Sequence, residues 1–148
     1  MATPRAFLKG LFDTAVAAAH PANVLPNHLP VAPPSGRLII LAGGKAAGSM
    51  AEVAERHYVA ARTGAGRLAG IAVARHGYGR PTQIVEMVEA GHPVPDAAGV
   101  AATERALALA DAATRDDLVL VLISGGAAVA RAAVGIALHT AVARPRGA

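Results

Sequence analysis

The sequence predicts an α/β domain of the Rossmann-like, three-layer kind, with a mainly parallel sheet, helices on both faces and an incomplete C-terminus. Three observations carry that prediction. Short apolar runs rich in β-branched residues, RLIILA and LVLVLI, alternate with longer stretches of helical periodicity. Glycine-rich turns stand directly after both runs. The chain has 148 residues, 53% of them apolar, which allows one compact domain with a core but not two.

Taken in order, Thr3-Pro4 sets a capping residue before a proline suited to a first helical turn. Phe7, Leu8, Leu11, Phe12, Ala15 and Val16 then recur at helical spacing, with Arg5, Lys9 and Asp13 opposite, and His20-Pro21 ends the helix. The prolines between Pro21 and Gly36 point to an irregular, extended connector. Arg37 to Ala42, bounded by glycines, reads as a strand buried on both faces. Ala46 to about Arg62 is predicted helical, with Met50, Val53, Ala54 and His57 inward and Ser49, Glu52 and Arg56 outward. Leu68–Ala74 and Gln83–Val88 are the next strands. A helix from Ala97 to Ala113, led by Asp96, precedes the strand Leu118–Ile123. Strands separated by helices imply crossover connections and parallel pairing.

Composition narrows the function classes. Without cysteine there is neither a disulfide framework nor a cysteine-based zinc site. The six histidines show no metal-ligand spacing, so no metal-binding residue is assigned. The net charge of +4 is scattered, only Lys9 and Lys45 are lysines, and stacking aromatics are scarce, which argues against nucleic-acid binding. The apolar segment before His20 is interrupted by Asp13, and the run from Leu118 meets Ser124 and Arg131, so no membrane span is expected. These readings favour a soluble, cytoplasmic protein.

In open parallel sheets, ligands bind beyond the carboxyl ends of the strands, where helix N-termini expose backbone N–H groups. Two glycine loops fall there. Gly43-Gly44-Lys45 offers small residues for close approach of an anion and a point charge in Lys45. Ser124-Gly125-Gly126 follows the last strand. The first loop matches neither the Walker A pattern nor G-x-G-x-x-G, and a simple tight turn accounts for it equally well. A third segment, Glu89 to Asp96, carries His92 between rigid prolines, and a structural turn capped by Asp96 is the alternative there.

Three segments in this order, LIILAGGKAAGSMAE, VEAGHPVPDAAGVAATERALALA and DDLVLVLISGG, resemble the N-terminal domain of the glycerate 2-kinases whose second half is called the MOFRL domain. The opening FLKGLFDTAVAAAHPANVLPNHLP is similar too, so the resemblance runs from about Phe7 to Gly126. It implies ATP- and Mg²⁺-dependent phosphorylation of D-glycerate to 2-phosphoglycerate in a cleft between two α/β domains. Carried over by position, Lys45 would be the catalytic residue, holding the glycerate carboxylate or the transferring phosphate. Gly43 and Gly44 would shape its loop, Ser124, Gly125 and Gly126 would meet phosphate or substrate, and His92 would border the cleft.

After Gly126 the family pattern continues with glycine and serine, whereas this chain reads Ala127-Ala128-Val129-Ala130. The expectation is therefore an N-terminal domain over 1–126, a divergent, frameshifted tail over 127–148, an absent second domain and an inactive fragment whose exposed sheet edge favours association, for instance as a homodimer. Two other readings stay open. One is an NAD(P)-dependent oxidoreductase, since some family members carry the label hydroxypyruvate reductase. The other is a non-catalytic ligand-binding domain.

Overall fold

The computed structural model describes residues 3–125, and the α/β class is as expected. Helix α1 spans Pro4–Ala19, and Thr3 Oγ1 accepts from the Ala6 N–H at its start. Its apolar stripe of Phe7, Leu8, Leu11, Phe12 and Val16 is exposed. Lys9 and Asp13 pair at 2.6 Å one turn apart.

The segment from Pro21 to Gly36 corrects the expectation of an irregular connector. Pro21–Val24 forms a short helix, α2, and Leu25–His28 a 3₁₀ turn. Both have proline within the first two positions, where a missing N–H costs nothing and a fixed φ favours the turn. The His20 ring caps α2, its Nδ1 accepting from the Ala22 N–H. Leu25, Leu29 and Ala32 then pack against the core, and the Tyr58 hydroxyl donates to the Pro30 carbonyl at 2.8 Å. The connector is therefore docked on the domain.

Strands β1 (Leu38–Gly44), β2 (Leu68–Arg75), β3 (Glu86–Ala90) and β4 (Leu118–Ser124) form one parallel sheet in the order β3-β2-β1-β4. Central β1 is buried on both faces. Helix α3 (Ala47–Ala60) covers one face, over Leu38, Ile40, Ala42 and Ala72, and α4 (Ala97–Asp111) covers the other, over Ile39, Leu41 and Ile71. Alanines at the contacts, Ala51 and Ala54 on α3 and Ala102, Ala106 and Ala110 on α4, allow close helix-to-sheet packing.

Two further expectations are corrected. On α3, Val53 and Ala54 are buried as expected and Met50 packs half-buried against the core, but the inward face also takes Ala47, Ala51 and Tyr58, and His57 is only half-buried. On that face Glu55 is buried, and its carboxylate accepts from the N–H groups of Gln83, Ile84 and Val85 at 2.7 to 2.9 Å. The sequence pattern places those three residues at the opening of the third strand. Their donors are taken by Glu55 instead, so β3 begins at Glu86. The β2–β3 crossover consequently contains no helix. Val85 anchors it within the α3-side core.

At the opposite end from the glycine loops, Asp117 ties β1 to β4. It accepts from the Arg37 guanidinium, the Arg37 N–H and the Thr114 N–H. The Arg37 guanidinium, followed by those backbone donors, holds its carboxyl well below the usual carboxylate range. Among the described residues, no helix is long and apolar enough to cross a membrane.

Candidate functional site

Parallel pairing places the ends of β1, β2, β3 and β4 at one edge of the sheet, and the glycine loops follow from there. Gly44 pairs with Ser124 in the β1–β4 register. It adopts φ +109°, and a Cβ at that position would lie 2.0 Å from the Ser124 carbonyl oxygen, so only glycine fits. Two residues on, the Ala46 N–H donates to Ser124 Oγ at 2.6 Å. The two loops, 78 positions apart in sequence, are thus stitched together. The Ser124 hydroxyl oxygen is thereby engaged as the acceptor of this bond.

Lys45 is exposed and has no hydrogen-bond or ion-pair partner among the described residues. It lies at the entry to α3, whose N-cap residue Ala46 supplies no side-chain cap. The loop after β2 lies against this helix end. A Cβ on Gly48 would come within 2.6 Å of the Tyr78 carbonyl oxygen.

The third segment is built by hydrogen bonds. Asp96 caps α4, Oδ1 accepting from the Gly99 N–H at 2.9 Å, while Oδ2 accepts from the Gly91 N–H at 2.8 Å and lies 3.1 Å from His76 Nε2. Those partners, the Gly99 N–H first and then His76, hold the Asp96 carboxyl below its ordinary range. Glu89 accepts from the Gly77 and Gly79 N–H groups, which lower its pKa in the same way. Asp96 therefore does more than cap: it clamps the loop bearing His92 to the loop after β2. The His92-Pro93 bond within it is cis.

Gly43, Gly44, Lys45 and His92 line one crevice of about 440 Å³ beyond the strand ends, within the size range of small-molecule sites. Its floor is apolar, with Leu41, Ile71, Val73 and Val121, and α4 walls it with Val100 and Thr103. Ser124 and Gly125 are not among its lining residues: Ser124 lies beside Gly44 and is bonded to the Ala46 N–H, and Gly126 lies outside the described residues. Sequence reasoning missed Arg75, which also lines the crevice, because the second strand had been ended at Ala74. The strand-end rule would have found it one residue later. Among the described residues, no three metal-ligating side chains come together, and the carboxylate lining the crevice is that of Glu104.

A parallel sheet covered on both faces, with its crevice at the carboxyl ends of the strands, defines an α/β domain of the open-sheet kind. The chain belongs to the family described as "Domain of unknown function (DUF4147)", which matches residues 7–143 and so runs beyond Gly126. A protein of Agrobacterium vitis named as a hydroxypyruvate reductase is 38% identical over 122 residues, covering 82% of this chain and 26% of its own length. The glycerate 2-kinase of Pyrococcus horikoshii is 35% identical over 91 residues, or 62% of this chain and 19% of that protein. A crystal structure of glycerate kinase from Thermotoga maritima superposes with a TM-score of 0.61 at 32% identity, over 76% of this chain and 26% of its own. The chain thus spans no more than about a quarter of the length of these relatives.

Proposed function

We propose that this domain forms part of a glycerate 2-kinase, which transfers the γ-phosphoryl group of ATP to D-glycerate. The observation that carries this reading is an unpartnered lysine in the Gly43-Gly44-Lys45 loop that lines the crevice, a loop bonded to the Ser124 loop through the Ala46 N–H. The resemblance to proteins named glycerate 2-kinase in both sequence and fold supports it. Lys45 is assigned to the transferring phosphoryl group as a point charge, with the glycine loop admitting the anion close to the backbone. By the resemblance, Gly125 and Gly126 are assigned to phosphate or substrate, and His92 to the border of the substrate. ATP with Mg²⁺ supplies the phosphoryl donor.

Phosphoryl transfer rests on positioning and charge stabilisation supplied by several parts together. The described residues supply the Lys45 and glycine-loop part of that arrangement, and we assign them ligand binding. Location in the cytoplasm and association of two copies belong to the same reading, and sedimentation velocity of the purified chain tests the second.

Calorimetric titration of the purified chain with ATP, D-glycerate and NADH tests the assignment. Binding of ATP or D-glycerate, weakened about tenfold or more by Lys45→Ala, is the expected result. The hydroxypyruvate reductase name of the Agrobacterium relative favours an oxidoreductase instead, although the β1 turn has no G-x-G-x-x-G fingerprint. Binding of NADH alone would overturn the kinase reading in favour of that one.

A further inference from the structure

We propose that Arg75 is the residue that takes the carboxylate of the substrate, leaving Lys45 to the transferring phosphoryl group. This rests on the kinase reading and deepens it. Arg75 is the last residue of β2, which lies between β1 and β3 in the sheet. It pairs with Ala90 on β3, two residues before His92, and Lys45 leaves β1 two residues beyond the Gly43–Val73 rung. Arg75 therefore stands at the strand end between the lysine loop and the histidine loop, and all three residues line the same crevice.

Side-chain direction agrees with that placement. Ile71 and Val73 belong to the α4-side core, and alternation along the strand puts Arg75 on this same face, where the crevice opens. The guanidinium carbon lies 3.5 Å from the Tyr78 ring centroid, a cation–π contact that restrains the end of the side chain.

Of the nearby carboxylates, Glu104 lines the crevice without an ion pair to Arg75, and two others are engaged elsewhere. Glu89 is held by the Gly77 and Gly79 N–H groups, and Asp96 by Gly91, Gly99 and His76. Among the described residues, Arg75 forms no ion pair and no side-chain hydrogen bond. A planar, oriented and unneutralised guanidinium in a small-molecule crevice matches the two oxygens of a carboxylate, which it grips through two parallel N–H bonds. Lys45, a compact charge on a flexible stem, matches a phosphoryl oxygen better. A substrate with a carboxylate at one end and a phosphorylatable hydroxyl near it would span the two cations.

The test titrates the 148-residue chain with D-glycerate, with glycerol, which lacks the carboxylate, and with ATP. Wild type, Arg75→Met and Arg75→Lys are compared, with circular dichroism as the check on folding. The expected result is that wild type binds D-glycerate and not glycerol. Arg75→Met should lose about tenfold or more in D-glycerate affinity with ATP affinity nearly unchanged, and Arg75→Lys should recover part of the loss. D-Glycerate binding unchanged in a folded Arg75→Met overturns the assignment of Arg75 while leaving the kinase reading in place. Equal loss of ATP and D-glycerate affinity also overturns it, since Arg75 would then serve the phosphates. Binding of neither ligand by the wild type removes both readings.

Discussion

At the scale of single residues, the clearest consequence comes from Asp117. Its carboxyl titrates below the ordinary carboxylate value because the Arg37 guanidinium and backbone N–H groups bind the charged form. In the unfolded chain the group returns to about pKa 3.9. Between those two values the unfolded state binds more protons than the folded one, so stability rises with pH there. The contribution is complete above the unfolded pKa and is lost as pH falls through it toward the folded value. Glu89 and Asp96 act in the same direction. Urea midpoints measured from neutral pH downward should therefore fall more gently for Asp117→Asn than for the wild type, on a variant less stable at pH 7. An acid limb parallel to the wild type would remove Asp117 as a source of that dependence. Gly44 gives a second test. At φ +109° and 2.0 Å from a backbone oxygen, Gly44→Ala should cost about 1–3 kcal/mol or more and loosen the stitched loops. Thermal melts with and without ATP would show both effects.

At the scale of elements, the β2–β3 crossover depends on α3 through one side chain. Removal of the Glu55 carboxylate leaves three N–H groups without their acceptor. Glu55→Ala is expected to cost about 1–3 kcal/mol, read as a lower urea midpoint at an unchanged slope. The core strand sets a larger scale. Ile40 is fully buried against α3, and Ile40→Ala should cost about 2–5 kcal/mol through lost transfer energy and a cavity. The apolar stripe of α1 contrasts with both, because all its large residues are exposed among the described ones. Single polar substitutions there, such as Phe12→Ser, should change the stability of this chain by less than about 0.5 kcal/mol.

At the scale of the molecule, strand order decides which loops meet. Placing β1 between β2 and β4, with β3 outside β2, brings Lys45, Arg75 and His92 to one mouth and sets Ser124 beside Gly44. The sequence by itself determined the alternation of strands and helices, the buried character of the first strand, the Thr3 and Asp96 caps and the glycine loops. Those features are local: hydrophobic period, cap chemistry and φ preference act within a few residues. It misjudged Pro21–His28, where proline in a first turn starts short helices, and Gln83–Val85, whose β-compatible residues give their donors to Glu55. Only the tertiary structure decided that Glu55 is buried, that Ser124 binds the Ala46 N–H, that Asp96 meets His76 and that Arg75 lines the crevice with its guanidinium over the Tyr78 ring. Most of those contacts join residues 20 to 78 positions apart, at places fixed by sheet register and by which face each strand turns to each helix. No local pattern encodes that geometry, because side chains so far apart in sequence meet only after the whole sheet has formed.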